Sequence, residues 1–299
     1  MSLMILACHG GASSEGAVRV AGALSERTGW GIRVVAAMLP PAPTDFGYGP
    51  VFIPDAATES VLEEKLLEDV RRQLARCGLG ALDPVVIVGT PAAVIAAEAV
   101  AGGATLIVVG LGPHHIADRA LGGETALQLA QMASTPVLAV PASATALPRH
   151  IVAAVDYSLT SLGAAQLAVS WLRDGDSVEL VHVREDADVR PGLREDDPRA
   201  RLADVVDSLD KPAGVQARVR LLEHDPARAL LDYVQRSHAE LVALGSHGYG
   251  IWKRLLVGSV ASKVLRLAQC PVLVAPARCT MATQGGPVVA GAGARSENT

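Results

Sequence analysis

Two tandem α/β domains, each a doubly wound parallel sheet of five strands, are predicted for this chain by three observations. The sequence repeats itself at a nearly fixed offset. Each repeat alternates short apolar runs with segments of helical period. A glycine-rich turn follows the run that reads as the fourth strand.

The repeat is direct. An offset of 135 residues lays Gly110 to Pro141 on Gly245 to Pro276 without a gap, and 11 of these 32 positions are identical. Among them are Gly110 with Gly245, Gly123 with Gly258, and Pro136-Val137-Leu138 with Pro271-Val272-Leu273. Near the start of each half the offset becomes 147, which lays Met4 to Cys8 on Ile151 to Val155. The first half therefore carries 12 additional residues, placed in the Pro- and Gly-rich segment around Pro40 to Pro54, which reads as a loop. The expected boundaries are a first domain over 1–141, a linker over 142–149, a second domain over 150–276 and a disordered tail over 277–299.

In the second half the predicted strands are Ile151 to Val155, Ser177 to Val183, Ala217 to Leu222, Leu241 to Leu244 and Val272 to Ala275. The helices between them run Leu162 to Leu172, Arg199 to Leu209, Ala227 to Ser237 and Ser259 to Ala268. Such alternation calls for right-handed crossovers, with helices on both faces of the sheet. Ligands of doubly wound sheets lie beyond the carboxyl ends of the strands, where the winding reverses. Asp156 ends the first strand there, and Gly245 ends the fourth. Asp156 is read either as a hydrogen-bond acceptor for a ribose or base, or as an Asx turn ahead of Ser158.

Gly245-Ser246-His247-Gly248, nine further residues, then Gly258-Ser259, is the motif with the most chemistry in it. Glycine lets backbone approach a ligand closely. The apolar positions Val260, Ala261, Val264, Leu265 and Ala268 make Gly258-Ser259 a helix start, with Ser259 expected as N-cap. Free N–H groups at a helix start and in a glycine loop form an anion site, and Lys253, Arg254 and Lys263 add positive charge.

Composition narrows the function. A net charge of −5 and no basic stripe argue against nucleic acid as partner. The stretch from Pro84 to Pro113 has Glu98 as its one ionisable residue, but glycines and prolines cut it into strand, helix and strand, so no membrane span is expected. Leu3 to Ala7 reads as a strand rather than a signal peptide, and a cytoplasmic protein is expected. The cysteines 8, 77, 270 and 279 lie too far apart for a zinc site or disulfide framework and read as buried or incidental thiols.

Ala153-Ala154-Val155-Asp156-Tyr157-Ser158, Val181-His182-Val183, Asp225-Pro226-Ala227, the glycine motif and Cys270-Pro271-Val272-Leu273-Val274 together resemble the universal stress protein family, in its tandem two-domain form. The resemblance covers nearly the whole chain. It implies a strand order of 3-2-1-4-5, the adenine nucleotide alpha hydrolase-like fold, and a regulatory protein of stress response that binds ATP in the second half. Ala154, Asp156, Val183 and Leu244 would lie near the nucleotide, with the phosphates on Gly245, Gly248, Gly258, Ser259 and Val260. It also implies pairing of fifth strands. Val137 to Val140 and Val272 to Ala275 are expected to pair with each other or with another copy, giving a homo-oligomer through those edges.

The first half departs from this pattern. His9 stands in place of Asp156, Pro113 in place of Gly248 and Glu124 in place of Ser259; Asp118 and Gln128 replace Lys253 and Lys263. A carboxylate about 4 Å from a phosphate charge costs several kcal/mol at an effective dielectric of about 20. One competent ATP site is therefore expected, in the second half, beside one degenerate half.

Other chemistry is less well supported. His9-Gly10-Gly11-Ala12-Ser13-Ser14 has a likeness to the S-G-G-x-D-S loop of ATP pyrophosphatases, but the aspartate and first serine are missing. His9, His114 and His115 lack completing ligands for a metal. No Walker lysine follows the glycines, and Asp156 is the one carboxylate placed for Mg²⁺. The alternatives to a regulatory nucleotide binder are a slow ATPase and a nucleotide-independent dimeric scaffold.

Overall fold

The computed structural model describes residues 2–40, 56–112, 123–184, 197–246 and 258–276, with the side chains of Ala56, Gly123 and Glu124 left aside. The loop expected around Pro40 to Pro54, apart from Pro40 itself, and the tail expected over 277–299 lie outside the described residues.

The first half runs β1 (Leu3–Ala7), α1 (Glu15–Thr28), β2 (Gly31–Met38), α2 (Ala56–Arg76), β3 (Val85–Val88), α3 (Pro91–Ala101), β4 (Leu106–Leu111), α4 (Gly123–Met132) and β5 (Val137–Pro141). The second repeats it: β6 (His150–Ala154), α5 (Leu159–Val169), β7 (Ser177–Arg184), α6 (Pro198–Ser208), β8 (Gln216–Glu223), α7 (Pro226–Arg236), β9 (Leu241–Gly245), α8 (Ser259–Leu267) and β10 (Val272–Ala275). Each half has the order 3-2-1-4-5 with parallel neighbours.

The two sheets are one. β5 pairs antiparallel with β10, so ten strands run β3-β2-β1-β4-β5-β10-β9-β6-β7-β8. Leu138 lies opposite Leu273, its own counterpart in the repeat, with Val137 opposite Val274 and Ala139 opposite Val272. A pseudo-twofold therefore passes through the Leu138–Leu273 pair. Because the seam is antiparallel and every other pair is parallel, the carboxyl ends of the two sets of strands point to opposite rims. Of the two pairings expected for the fifth strands, with each other or with another copy in a homo-oligomer, the structure has the first: β5 lies between β4 and β10, and β10 between β5 and β9, so neither strand has an open edge in this sheet.

Alternation along the buried strands builds two cores that cross the seam. Met4, Leu6, Leu138, Ile151, Ala153 and Leu273 face α1, α2, α5 and α6. Ile5, Ala7, Val137, Ala139, Val152 and Val272 face α3, α4, α7 and α8. Sequence and structure differ by three residues at α5, which starts at Leu159 because the Ser158 side chain accepts the Ser161 N–H. Trp171 and Leu172 then lie beyond its end, still buried in the first core. The segment 142–149 is packed: Leu147 and Pro148 are buried and Ala144 joins the first core. Arg149 donates to Asp176 Oδ1 (2.9 Å), and from the first half Arg27 donates to the Trp171 carbonyl (2.6 Å).

Three described cysteines, Cys8, Cys77 and Cys270, are unpaired thiols. Burial pushes all three above the ordinary range, Cys270 up to about 11, so they stay protonated and unreactive at neutral pH.

Leu138→Ala and Leu273→Ala should each cost about 2–5 kcal/mol in urea denaturation. Since the two side chains meet at the seam, their double mutant should depart from additivity by about 0.5 kcal/mol or more.

Candidate functional site

Strand pairing sets the frame of the second-half site. Ala154 ends β6, Val183 stands next to last in β7, and Leu244 and Gly245 end β9, the neighbour of β6 on its other side. Ala154, Val183, Leu244 and Val260 all face the second core, so four of the apolar residues singled out in the sequence share one face of the sheet at its carboxyl rim. Gly248, with His247, Lys253 and Arg254, lies outside the described residues, as do His114 and His115.

Asp156 forms the Asx turn weighed in the sequence. Its Oδ1 accepts from the Ser158 N–H (3.0 Å) and the Ser158 hydroxyl, while its own N–H donates to Ser161 Oγ (3.3 Å). The turn leaves Oδ2 out, so a capping role and a ligand-facing oxygen are compatible in one carboxylate.

Gly245 has a reason other than ligand approach. A Cβ there would press on Thr160 Oγ1 and stand 2.8 Å from the Ser161 amide nitrogen and 2.9 Å from Thr160 Cβ. Gly110 is boxed in the same way by Ser13 and Ser14, with the Ser13 carbonyl carbon at 3.0 Å. The glycine common to both halves thus lets the first helix of each half pack onto the end of the fourth strand. The arc Asp156, Ser158, Ser161, Gly245 is contiguous as a result.

Beyond β9 the arc continues to α8. Ser246 donates its N–H to Ala275 O (2.8 Å), and its carbonyl accepts the Gly258 N–H at 2.7 Å. Gly258, not Ser259, is the N-cap of α8; Ser259 and Val260 are its first helical residues. A glycine cap has no side chain to turn back on the first N–H groups, and none does. The other described helices of this half are each closed by their own cap: Ser158 accepts from the Ser161 N–H, Asp197 from Arg199 and Asp225 from Arg228. The Arg228 N–H, followed by the nearby Lys263, holds the Asp225 carboxyl below its ordinary range. Lys263 Nζ lies 3.5 Å from Asp225 Oδ2, so part of the positive charge assigned to the phosphate loop is directed at the start of α7.

One residue escaped sequence reasoning. Tyr157, next to Asp156, adopts a left-handed φ of 63°. Its counterpart at the 147 offset is Gly10, with φ 77°, so the two halves make the same turn and only the first uses the residue suited to it. Alignment of Tyr157 on a glycine was the available signal. The strained tyrosine is clamped by Arg201, 4.0 Å above its ring, by His182 at 4.9 Å between ring centroids, and by a hydroxyl donation to Pro198 O (3.3 Å). His182 in turn stands 2.8 Å from the Val155 carbonyl through Nδ1, which ties β7 to the end of β6.

A cleft of about 910 Å³ lies along α7 between the ends of β7 and β8 and the start of α6, with Pro198, Asp225 and Arg228 in its lining. Arg184 pairs there with Glu223 at 2.6 Å and Arg228 with Asp232 at 4.0 Å, while Asp156, Gly245 and Gly258 lie outside the lining. Among the described residues no group of histidine, cysteine and carboxylate side chains is arranged to hold a metal, and no helix is long and apolar enough to cross a membrane.

Fold and site together define a tandem doubly wound α/β protein whose clefts open at opposite rims of one sheet. The model of the universal stress protein family matches residues 1–141 and again 148–276, and the chain belongs to that family. It is 35% identical over 188 residues to a universal stress protein of Mycobacterium tuberculosis, covering 58% of this chain and 61% of that protein. With universal stress protein YxiE of Bacillus subtilis it is 36% identical over 61 residues, 20% of this chain and 41% of that one. The chain thus spans less than two thirds of either relative in these matches. The crystal structure of a universal stress protein from Archaeoglobus fulgidus superposes with a TM-score of 0.66 at 20% identity, over 92% of this chain and 98% of the other, which shows the shared fold.

Gly245→Ala and Gly110→Ala should each lower the ligand-free stability by about 1–3 kcal/mol through overpacking, read as a fall in urea midpoint. An unchanged midpoint for Gly245→Ala would assign that glycine to ligand approach alone.

Proposed function

We propose that the second half binds ATP, and that its occupancy regulates the protein in a stress response. The uncapped start of α8 carries this reading: among the described helices of this half the others are closed by their own side chains and α8 alone begins on a glycine, joined to the end of β9 by the 2.7 Å Gly258–Ser246 bond. The N–H groups of Ser259 and Val260 there suit phosphate oxygens, together with Gly245 and the sequence-assigned Gly248. The apolar face of Ala154, Val183 and Leu244 suits an adenine, and Asp156 Oδ2 suits a ribose hydroxyl or a Mg²⁺ carried by the triphosphate. The chain's own groups bind and orient; no turnover is required of them.

The reading locates the difference between the halves at the cap. Glu124 in the position of Ser259 sets a carboxylate where a phosphate would lie, so the first half is assigned no ATP. Regulation then depends on the occupied and empty states presenting different surfaces. The Tyr157 clamp, reaching from the Asp156 turn to Arg201 on α6, is the element through which occupancy would reach the surface.

ATP at a hundredfold excess over its dissociation constant should add about 2.7 kcal/mol, raising the melting temperature by about 5 °C. Gly258→Glu, which sets a carboxylate at the cap of α8, one residue before the position that Glu124 occupies in the repeat, should abolish that rise. No rise in the unmodified chain, or an undiminished rise in Gly258→Glu, would remove the assignment.

A further inference from the structure

We infer that the chain forms a two-fold dimer through the outer edge of β3, which pairs antiparallel with β3 of a second copy. With β5 and β10 closed on each other, β3 and β8 are the outer strands of the sheet. An outer strand presents a row of N–H and C=O groups that templates another strand, and charged side chains are a common guard against it. β8 is guarded. Arg220 on it pairs with Glu179 at 3.2 Å and Glu223 with Arg184 at 2.6 Å, while Arg228, Asp232 and Arg236 of α7 line the cleft beside it. A strand arriving there would have to strip water from these charges.

The 135 offset lays each of these five guarding residues on an apolar one. Val85 and Val88 stand in place of Arg220 and Glu223, and Ala93, Ala97 and Ala101 of α3 in place of Arg228, Asp232 and Arg236. All five replacements are exposed, Val85 by 39% and Val88 by 51%. The strand they leave open, Val85-Val86-Ile87-Val88, is β-branched throughout, and such side chains pair well across antiparallel strands. A second copy fits this edge because two-fold pairing uses the same surface on both partners. The seam shows the mode: β5 and β10, also uncharged, close antiparallel on their duplicate. A stable interface buries roughly 800 Å² per partner, more than four residues supply, so a neighbouring helix has to take part. α2 packs over β2 and β3, and its charge is divided along its length. Five acids and one lysine lie between Glu59 and Asp69, and three arginines between Arg71 and Arg76. The two-fold runs the partner's α2 antiparallel, which turns the acidic part of each helix toward the basic end of the other.

Pairing at β3 needs no nucleotide, so the full chain free of ATP tests it. Sedimentation equilibrium should give twice the chain mass of 30.9 kDa. Val85→Arg combined with Val88→Glu, which gives β3 the charges of β8, should sediment as a monomer with an unchanged far-ultraviolet circular dichroism spectrum. Hydrogen exchange on the unaltered chain, at concentrations above and below the dissociation constant, makes the test independent of how that variant folds. The peptide over Val85–Val88 should exchange at least about threefold more slowly in the dimer, and the peptide over Gln216–Glu223 equally in both states. An unaltered chain of any other mass, a folded double variant that still dimerises, or exchange at β3 that does not respond to concentration would each overturn the assignment.

Discussion

The antiparallel hydrogen bonding of β5 with β10 is the constraint on which the rest of this molecule depends. A doubly wound sheet that ends on a buried, uncharged strand such as Val137–Pro141 exposes an edge prone to unwanted pairing. Here that edge is closed by its own duplicate. The closure puts Leu138 against Leu273 on a pseudo-twofold axis and makes each core continuous from one half to the other. It also sends the two sets of carboxyl ends to opposite rims, so the halves cannot share a cleft. Each must be judged by its own residues.

Judged so, the halves share a scaffold and differ in their ends. Gly110 and Gly245 are preserved because each lets a helix start pack onto a strand end, a need both halves have. The common left-handed turn at Gly10 and Tyr157 is likewise architectural, although the second half holds it with a tyrosine clamped by Arg201 and His182. What is not shared is charge at the rim: a carboxylate at Asp156 against a neutral imidazole at His9, and Ser259 against Glu124 at the fourth helix start. Electrostatics at these positions, rather than the number of glycines, separates the proposed nucleotide site from its degenerate twin.

Much of this was legible in the sequence, for physical reasons that can be named. Buried parallel strands such as Leu241–Gly245 and Val272–Ala275 are short apolar runs, and the helices between them carry period and caps, as Asp225-Pro226 shows for α7. Duplication located the seam, because Pro136-Val137-Leu138 and Pro271-Val272-Leu273 match, yet sequence left open whether those strands meet each other or another copy. That choice depends on the path of 142–149, whose buried Leu147 and Pro148 no periodicity reveals. The same limit applies to Gly245. Its neighbours Thr160 and Ser161 are remote in sequence, so the packing requirement on this glycine could not be read from the motif. The cap of α8 was misplaced by one residue, since glycine and serine both serve at helix starts and only the Gly258–Ser246 hydrogen bond distinguishes them.

The central claim is one nucleotide site per chain, in the second half. Native mass spectrometry of the intact chain with saturating ATP tests it most directly, because it counts ligands on one molecule. The account predicts a single adduct of ATP mass. Two adducts per chain would contradict it by showing that Glu124 does not exclude phosphate, and a chain that stays bare at saturation would contradict it at the start of α8.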